Sequence, residues 1–210
     1  MDRYKETFET WNKVASLYEE KFMHLDIYNE SYQFVCDAIR KSNPEILEIG
    51  CGPGNITQYL LKIRPDFKIT GIDIAPNMIE LAKKNNPLAN FKVMDSREIN
   101  QLEEKFDAIV AGFCWPYLSE KDSEKLIFDA KNLLQKNGLI YISFVEGNPE
   151  KSDYQTGSSG DRIFFNYHEL ENLKKQLREN SFHNFKVFEV NFKKSETQND
   201  IHTIIIAWLM

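Results

Sequence analysis

The stretch LEIGCGPGNIT, residues 47–57, decides the fold of this 210-residue chain. Three glycines alternate in it, Gly50, Gly52 and Gly54, directly after a short apolar run. Glycine weakens strands and helices, so this spacing indicates a loop in which a ligand comes close to the backbone. The stretch therefore predicts a strand, a glycine loop and then a helix.

Apolar runs and helical periodicities alternate around this loop. Strands are predicted at 45–49, 67–74, 91–94, 106–111 and 139–145, and helices at 55–63, 76–84 and 120–135. This alternation is typical of parallel strands joined by crossover helices. Two further strands, 185–192 and 201–209, follow a helix predicted over 167–180. Because no helix separates these two strands, they should form an antiparallel hairpin.

The two ends of the chain lie outside this alternation. Apolar residues recur at helical intervals over residues 1–23, which predicts an amphipathic helix, and a second helix is predicted over 28–41. The polar stretch 147–162 is predicted to be a long irregular loop, and such loops are often functional lids. The single domain, 1–210, then divides into a helical cap (1–42), a core (43–146), and a lid loop, helix and hairpin (147–210).

Composition limits the classes of partner. The net charge is −6 with basic residues scattered among acids, which argues against a partner bound mainly through phosphates. No apolar run is long enough to span a bilayer, and the charged start is unlike a signal peptide. Three separated cysteines and four dispersed histidines indicate reduced thiols and no metal site, as expected for a cytoplasmic protein.

Two nucleotide-binding fingerprints fail at the glycine loop. The dinucleotide pattern GxGxxG requires a third glycine where Asn55 stands. The phosphate loop GxxxxGK[S/T] requires Gly-Lys where Asn55 and Ile56 stand. What remains is an acid followed by alternating glycines, EIGCGPG (48–54).

This pattern resembles motif I of the class I S-adenosylmethionine-dependent methyltransferases. Four later stretches resemble the family's further motifs in the same order: GIDIAPNM (71–78), VMDSREI (93–99), FDAIVAGFCWPYLS (106–119) and NGLIYISFVEG (137–147). The resemblance covers about residues 44–146 well and the tail more loosely. It implies an α/β fold: a Rossmann-like seven-stranded mixed sheet of order 3-2-1-4-5-7-6, last strand antiparallel, with helices on both faces and an N-terminal helical cap. It also implies S-adenosyl-L-methionine as cofactor.

The resemblance implies a role for each motif. Asp73 would accept both ribose hydroxyls, Ile74 would lie against the adenine, and Asp95 would take the adenine amino group. Glu48 would order the glycine loop around the methionine part of the cofactor. Asp73 and Asp95 could instead cap the turns that follow them. The expected cofactor-binding residues are Glu48, Gly50, Cys51, Gly52, Gly54, Asp73, Ile74, Asp95, Ser96, Ala111 and Gly112.

The acceptor side is expected to be aromatic. The substrate candidates are Trp11, Trp115, Tyr117 and Tyr154, although Trp11 could equally pack in the core. Methyl displacement at a sulfonium needs no catalytic triad, because alignment supplies much of the rate. A base is needed only for an acceptor that loses a proton, and the candidate catalytic residues are Tyr18 and His168. His168 could instead be a residue of the first turn of the following helix.

One further stretch bears on the acceptor. CWPY (114–117) stands where nucleic-acid amino-methyltransferases carry Asn/Asp-Pro-Pro-Tyr, but it lacks the polar first residue. We therefore predict direct methyl transfer to a small molecule at oxygen, nitrogen or carbon, by a monomer or homodimer without nucleic-acid or membrane partners. The alternatives are a protein that binds S-adenosylmethionine or S-adenosylhomocysteine without transfer, a nucleic-acid or protein methyltransferase, and an NAD-dependent oxidoreductase.

Overall fold

The structure is a computed structural model that describes residues 3–157, 160–193 and 199–210. The described strands are β1 (Glu45–Ile49), β2 (Lys68–Asp73), β3 (Asn90–Val93), β4 (Phe106–Ala111), β5 (Leu134–Val145), β6 (Asp153–Thr156), β7 (Arg162–Phe165), β8 (Phe182–Lys193) and β9 (Asn199–Leu209). The described α-helices are α1 (Arg3–Lys13), α2 (Ala15–Phe22), α3 (Asn29–Ala38), α4 (Asn55–Ile63), α5 (Pro76–Asn85), α6 (Glu120–Leu133) and α7 (Leu170–Glu179).

Seven strands form one mixed sheet in the order β3-β2-β1-β4-β5-β9-β8. Strands β1 to β5 are parallel, whereas β9 is antiparallel to both β5 and β8. Numbered within this sheet alone, the order is 3-2-1-4-5-7-6, so the predicted topology is confirmed. The strand order reverses between β1 and β4, and ligands of such sheets bind beyond the carboxyl ends of the strands at that point.

Helices pack on both faces because each central strand is apolar on both sides. In β4, Ile109 belongs to a buried cluster with Leu126 of α6, while its neighbour Val110 joins a second cluster with Val35 of α3 and Leu60 of α4. Successive side chains of a strand point to opposite faces, so a continuous apolar run buries both. The two clusters fix the position of every loop at the carboxyl edge.

The N-terminal cap consists of two helices rather than the single predicted helix. The break falls at Val14, whose φ of −94° and ψ of 12° end the helical geometry. Helix α1 is bound to β7, because the Thr10 hydroxyl donates to the Arg162 carbonyl at 2.8 Å and the Phe164 amide donates to Thr7 Oγ1 at 3.0 Å. The beginning of the predicted helix, residues 1–2, lies outside the described residues.

The prediction of an irregular loop over 147–162 is wrong. Strands β6 and β7 pair antiparallel, with Tyr154 opposite Phe164, and a short 3₁₀ turn spans Pro149–Lys151. Each strand has only four residues, too few to show a clear alternation in the sequence. Residues 158–159 in this segment, and 194–198 of the polar stretch between the last two strands, lie outside the described residues. Within the described ranges, no helix is long and apolar enough to cross a bilayer.

Candidate functional site

The glycine loop connects β1 to α4 with three residues in the left-handed region. Gly50, Gly52 and Gly54 have φ values of +68°, +52° and +84°. A Cβ at Gly50 would lie 2.9 Å from the Cβ of Cys114, so a side chain there would strike the protein. A Cβ at Gly52 would come no closer than 3.7 Å to Tyr18. Gly52 therefore borders open space, and a side chain there would enter a cavity.

Four of the predicted cofactor residues lie in or next to this loop without bordering a cavity. Glu48 is 1% exposed; its Oε2 accepts a hydrogen bond from the Thr57 hydroxyl, while its Oε1 has no hydrogen-bond partner within the described part of the chain. Burial raises the pKa of Glu48 to about 8. Cys51 and Ala111 are also buried, and Gly54 ends the loop. These residues support the loop and are not among those that line the two cavities described below.

A first cavity of about 140 Å³ opens at the carboxyl edge of the sheet beside the glycine loop. Its wall brings together seven of the predicted cofactor residues, which come from four different loops. The wall also contains residues that were not predicted from the sequence, three of them from α1. The predicted residues in the wall are Gly50, Gly52, Asp73, Ile74, Asp95, Ser96 and Gly112, and the additions include Tyr4, Thr7, Phe8, Met78, Met94 and Arg97.

Asp73 ends β2 and shapes the turn around the first cavity. Its Oδ2 accepts a hydrogen bond from the Gly52 amide at 3.0 Å, and its Oδ1 accepts one from the Ala75 amide at 2.9 Å. Burial raises the pKa of this carboxyl, although the backbone amides of Ala75, Gly52 and Ile74 act to lower it. An ionised carboxylate offers about four acceptor sites, so two amides leave capacity for two ligand hydroxyls. The turn-capping and ligand-binding interpretations of Asp73 are therefore compatible.

Asp95 caps the short 3₁₀ helix at Ser96–Gln101. It accepts a hydrogen bond from the Arg97 amide at 2.9 Å and forms an ion pair with the guanidinium of Arg97 at 2.5 Å. That guanidinium stacks over the Tyr4 ring, 4.0 Å from its centroid. The expected cap at Asp95 is thus present, and its carboxylate also borders the first cavity. Tyr4 of α1 and Arg97 close this end of the cavity together.

The backbone turns sharply where β4 ends. Phe113 has a φ of +53°, which is costly for a residue with a large side chain. Its amide donates to Ser143 Oγ on β5 at 2.8 Å, which holds the turn. Phe113 borders both cavities. Strain of this kind commonly accompanies a functional site, and here it aims an aromatic ring at the space between the cavities.

A second cavity of about 230 Å³ adjoins the first. The indole of Trp11 meets the rings of Tyr18 and Tyr117 edge-on, with centroids 5.5 Å apart in both cases. The buried Trp11 Nε1 has no hydrogen-bond partner among the residues that the structure describes. We call the residues common to both walls the junction: Trp11, Tyr18, Gly50, Gly52, Gly112, Phe113 and Tyr117.

Tyr18, one of the two candidate catalytic residues, lies at the junction. Burial, and secondly the carboxyl of Asp73, raise the pKa of its phenol to about 12. The side chain is therefore a neutral hydroxyl near neutral pH. It can donate or accept a hydrogen bond there, but the pKa shift does not favour it as a proton acceptor.

The structure places three other candidates away from the cavities. Trp115, a predicted substrate residue, is fully buried, donates from Nε1 to Ser123 Oγ at 2.7 Å and lines neither cavity. His168 is buried with its Nε2 3.0 Å from the Trp115 carbonyl oxygen, burial lowers its pKa, and it lines neither cavity. Tyr154 lies on β6 under the Arg162 guanidinium, 4.2 Å from its ring centroid, and lines neither cavity.

The site contains one thiol, that of Cys114. Cys114 borders the first cavity, but burial raises its pKa to about 12, so it stays protonated. Among the residues that the structure describes, no group of three His, Cys, Asp or Glu side chains could hold a metal ion. The polar groups of the site are instead arranged for hydrogen bonding.

Comparison with known proteins agrees with this geometry. Residues 46–138 match a family described as "Methyltransferase domain". "Putative methyltransferase 235L" of Invertebrate iridescent virus 6 is 31% identical over 136 residues, which are 65% of this chain and 49% of that protein. "Ribosomal RNA large subunit methyltransferase E" of Brachyspira hyodysenteriae is 26% identical over 168 residues, 75% of each protein. This chain thus spans about half the length of the viral relative.

A solved structure extends the likeness to the whole chain. Magnesium protoporphyrin IX methyltransferase from Synechocystis PCC 6803 with bound SAH superposes with a TM-score of 0.73, covering 100% of both chains at 14% identity. At that identity the likeness concerns the fold. The fold, the motif order and the family match together confirm the resemblance to class I S-adenosylmethionine-dependent methyltransferases.

Proposed function

We propose that this protein is an S-adenosylmethionine-dependent methyltransferase that transfers the methyl group directly to a small molecule. The observation that carries the proposal is the pair of adjoining cavities with a common wall at the junction. A direct displacement requires a methyl donor and an acceptor in contact and aligned. Two cavities that meet at one wall provide that arrangement.

The wall of the first cavity carries groups that suit the cofactor. Asp73 retains acceptor capacity for two ribose hydroxyls beyond its two amide bonds. Ile74, 37% exposed and in the cavity wall, offers an apolar surface to the adenine. Gly52 leaves open the space that a Cβ would fill, so the backbone of the loop can meet the methionine part. Bound there, S-adenosylmethionine supplies an electrophilic methyl group on a sulfonium.

In the proposed complex, the sulfonium of the cofactor lies against the aromatic side chains of the junction. The rings of Trp11, Tyr18 and Tyr117 form a continuous wall there. Aromatic faces attract cations, so this wall supports binding of a positively charged sulfur. It also excludes water from the line between donor and acceptor, which prevents the acceptor from being solvated at the moment of attack.

The second cavity favours a small molecule over a polymer. Helix α2, the β6–β7 hairpin and β9 all contribute to its wall, so it is closed on several sides. The net charge of −6 does not favour a long phosphate backbone. Because one relative is a ribosomal RNA methyltransferase, a nucleic-acid substrate is the alternative to a small molecule. The two possibilities differ in which molecule receives a labelled methyl group.

Labelled methyl transfer tests the proposal. The purified protein is incubated with methyl-labelled S-adenosylmethionine and, separately, a small-molecule library, total RNA and a protein extract. We expect label in small molecules only, together with S-adenosylhomocysteine binding by calorimetry. Label in RNA or protein alone would overturn the acceptor class. Binding without transfer to anything would indicate a non-catalytic binding protein, and no binding would overturn the whole proposal.

A further inference from the structure

Nearly half of the described residues that line the second cavity are aromatic. They come from the N-terminal helices, the turn after β4, the β6–β7 hairpin and β8, so rings reach this cavity from several sides. An apolar cavity of about 150 Å³ holds benzene, and the second cavity has a volume of about 230 Å³. It therefore accommodates a molecule of one or two rings.

Four of these rings meet nearly edge to face at the junction and beside it. The plane of the Trp11 indole is turned 88° from the Tyr18 ring and 66° from the Tyr117 ring, and Tyr117 is turned 89° from Phe165. Rings in such different planes border one space from different directions. We call these four residues the aromatic box. Trp11, Tyr18 and Tyr117 also belong to the junction, whereas Phe165 borders the second cavity and not the first.

The charges in the wall of the second cavity disfavour one class of acceptor. No lysine or arginine is among the described residues that line this cavity, whereas an acid, Asp200, is. An anion that enters the cavity therefore finds neither of these cations in the described wall to neutralise it. The faces of aromatic rings carry the negative part of the ring quadrupole, so they disfavour an anion as well. Carboxylates and phenolates are thus poorly suited to this cavity.

Methyl transfer from a sulfonium also moves a positive charge. An anionic oxygen is neutralised when it takes the methyl group, whereas an uncharged nitrogen becomes a cation. In the second case the charge passes from the sulfur at the junction to the nitrogen in the second cavity. The aromatic box extends from the junction into that cavity, so it attracts the charge at both ends of the transfer. An attraction that grows as charge arrives on the acceptor stabilises the transition state more than the bound substrate, which accelerates the reaction.

The titratable groups at the junction suit an acceptor that has no proton to lose. Burial, and secondly the carboxyl of Asp73, raise the pKa of Tyr18 to about 12, so its phenol is a poor proton acceptor at neutral pH. An aliphatic amine is protonated near neutral pH and must lose that proton before it can attack. A ring nitrogen of the pyridine type has a free lone pair at that pH, so it needs no base.

We infer that the acceptor is an uncharged heteroaromatic molecule of one or two rings, methylated at a ring nitrogen to give a cation. The inference rests on the proposed methyltransferase function. The nitrogen lone pair forms a bond to the methyl carbon as the bond between that carbon and sulfur breaks. The sulfur keeps the electron pair and becomes a neutral thioether. The nitrogen takes the positive charge, and no proton is transferred.

Bicyclic probes of similar shape and different charge test the inference. Calorimetry is performed on the full chain saturated with S-adenosylhomocysteine, at a mildly alkaline pH at which isoquinoline is uncharged. N-methylisoquinolinium should bind about 5- to 30-fold more tightly than isoquinoline, and 2-naphthoate should bind most weakly. With methyl-labelled S-adenosylmethionine, wild type should convert isoquinoline to N-methylisoquinolinium and should transfer less label to 2-naphthol.

Two neighbouring phenylalanines of β7 provide a variant and its matched control. Phe165→Leu removes one ring of the aromatic box and keeps an apolar side chain, so the preference for the cation over isoquinoline should fall about 2- to 5-fold. Phe164 lines neither cavity, and Phe164→Leu should leave that preference unchanged. Phe22→Leu, on α2 and in the wall of the second cavity only, should repeat the effect of Phe165→Leu. All three variants should bind S-adenosylhomocysteine as wild type does.

Each contrary result has a distinct meaning. Equal or weaker binding of N-methylisoquinolinium than of isoquinoline would overturn the inference, and so would the tightest binding by 2-naphthoate. A label that prefers 2-naphthol, or that reaches neither acceptor, would overturn it as well. Equal effects of Phe164→Leu and Phe165→Leu would refute the role of the aromatic box. In these cases S-adenosylhomocysteine binding by wild type leaves the cofactor part of the proposed function standing, whereas absence of that binding would overturn the proposed function itself.

Discussion

Replacing Asp73 by alanine should remove most of the affinity for the cofactor. Two ribose hydroxyls would lose a charged acceptor, and each such hydrogen bond contributes about 1.5–3 kcal/mol. Water partly replaces these bonds in the variant, so we expect a net loss of about 2–4 kcal/mol. At about 1.4 kcal/mol per tenfold change, affinity falls about 30- to 1,000-fold. Titration calorimetry with S-adenosylhomocysteine measures this loss directly.

The same substitution should cost the fold little. The Gly52 and Ala75 amides lose their acceptor, but they lie at a cavity that water can enter. Removing a buried carboxyl, whose pKa burial raises, offsets part of that cost. We expect a net loss of about 1 kcal/mol, or about 2–4 °C in Tm. Asp66→Ala is the matched control, because Asp66 accepts from the Asn43 amide and pairs with Arg64 away from both cavities.

A cofactor analogue separates direct contact from loop disorder. Wild type should bind 2′-deoxy-S-adenosylhomocysteine more weakly than the parent compound, whereas Asp73→Ala should bind both alike. If Asp73→Ala instead binds S-adenosylhomocysteine as tightly as wild type, Asp73 is only a turn residue. If the variant still discriminates fully against the analogue, another group recognises the 2′-hydroxyl. Either outcome would refute the assignment.

Three further perturbations follow from the structure. Gly52→Val should abolish measurable S-adenosylhomocysteine binding because its side chain enters the first cavity, whereas Gly160→Val, with a φ of +81° and nothing within 4 Å, controls for backbone strain and should bind normally. In Glu48→Gln the side chain cannot ionise. In wild type the folded pKa of about 8 lies above the ordinary 4.5, so the stabilising contribution of protonated Glu48 is complete below pH 4.5 and is lost as the pH rises toward 8. Glu48→Gln should therefore gain on wild type by up to about 1.4 kcal/mol per pH unit across that window in urea titrations, and parallel curves would contradict the raised pKa. Arg162→Gln removes the ion pair with Glu6 that joins β7 to α1, so hydrogen exchange in α1 should rise with little change in Tm. S-adenosylhomocysteine should slow exchange in both α1 and the β6–β7 hairpin of wild type, and protection confined to the glycine loop would contradict a closing role for them.

Features fixed by neighbouring residues were predictable from the sequence. The glycine loop has a left-handed conformation at every second position, 50, 52 and 54, and only glycine adopts that conformation freely. Strand β4 was predicted with its observed bounds because an apolar run, broken only by Asp107, ends where Gly112 follows. Asp73 and Asp95 were recognisable because Asp73 ends a strand, Asp95 lies two residues beyond the next one, and both belong to the pattern of the family that the sequence resembles.

Features that depend on distant partners were not predictable. Arg97 closes the first cavity only because Tyr4 of α1 lies under its guanidinium, and no local pattern connects the two. His202 belongs to a correctly predicted strand, but its hydrogen bond with Tyr28 joins residues that are 174 positions apart in the chain. Conversely, Trp115 looked like a substrate residue beside Tyr117, yet its ring turns into the core toward Ser123. In one short 3₁₀ turn, two aromatic residues separated by a proline thus have different surroundings: Trp115 lies in the core and Tyr117 borders the cavities.

The two cavities draw their walls from different parts of the chain. Most of the first cavity's polar wall lies within 46–138, the stretch that matches the methyltransferase family. The second draws on Tyr28 and Tyr32 before that stretch and on Phe165, Phe192 and His202 after it. Substitutions in these flanking segments leave the glycine loop untouched. Under the proposed function, natural selection can therefore retune the choice of methyl acceptor while the methyl donor stays the same, and we expect descendants of this chain to diverge fastest in the flanks.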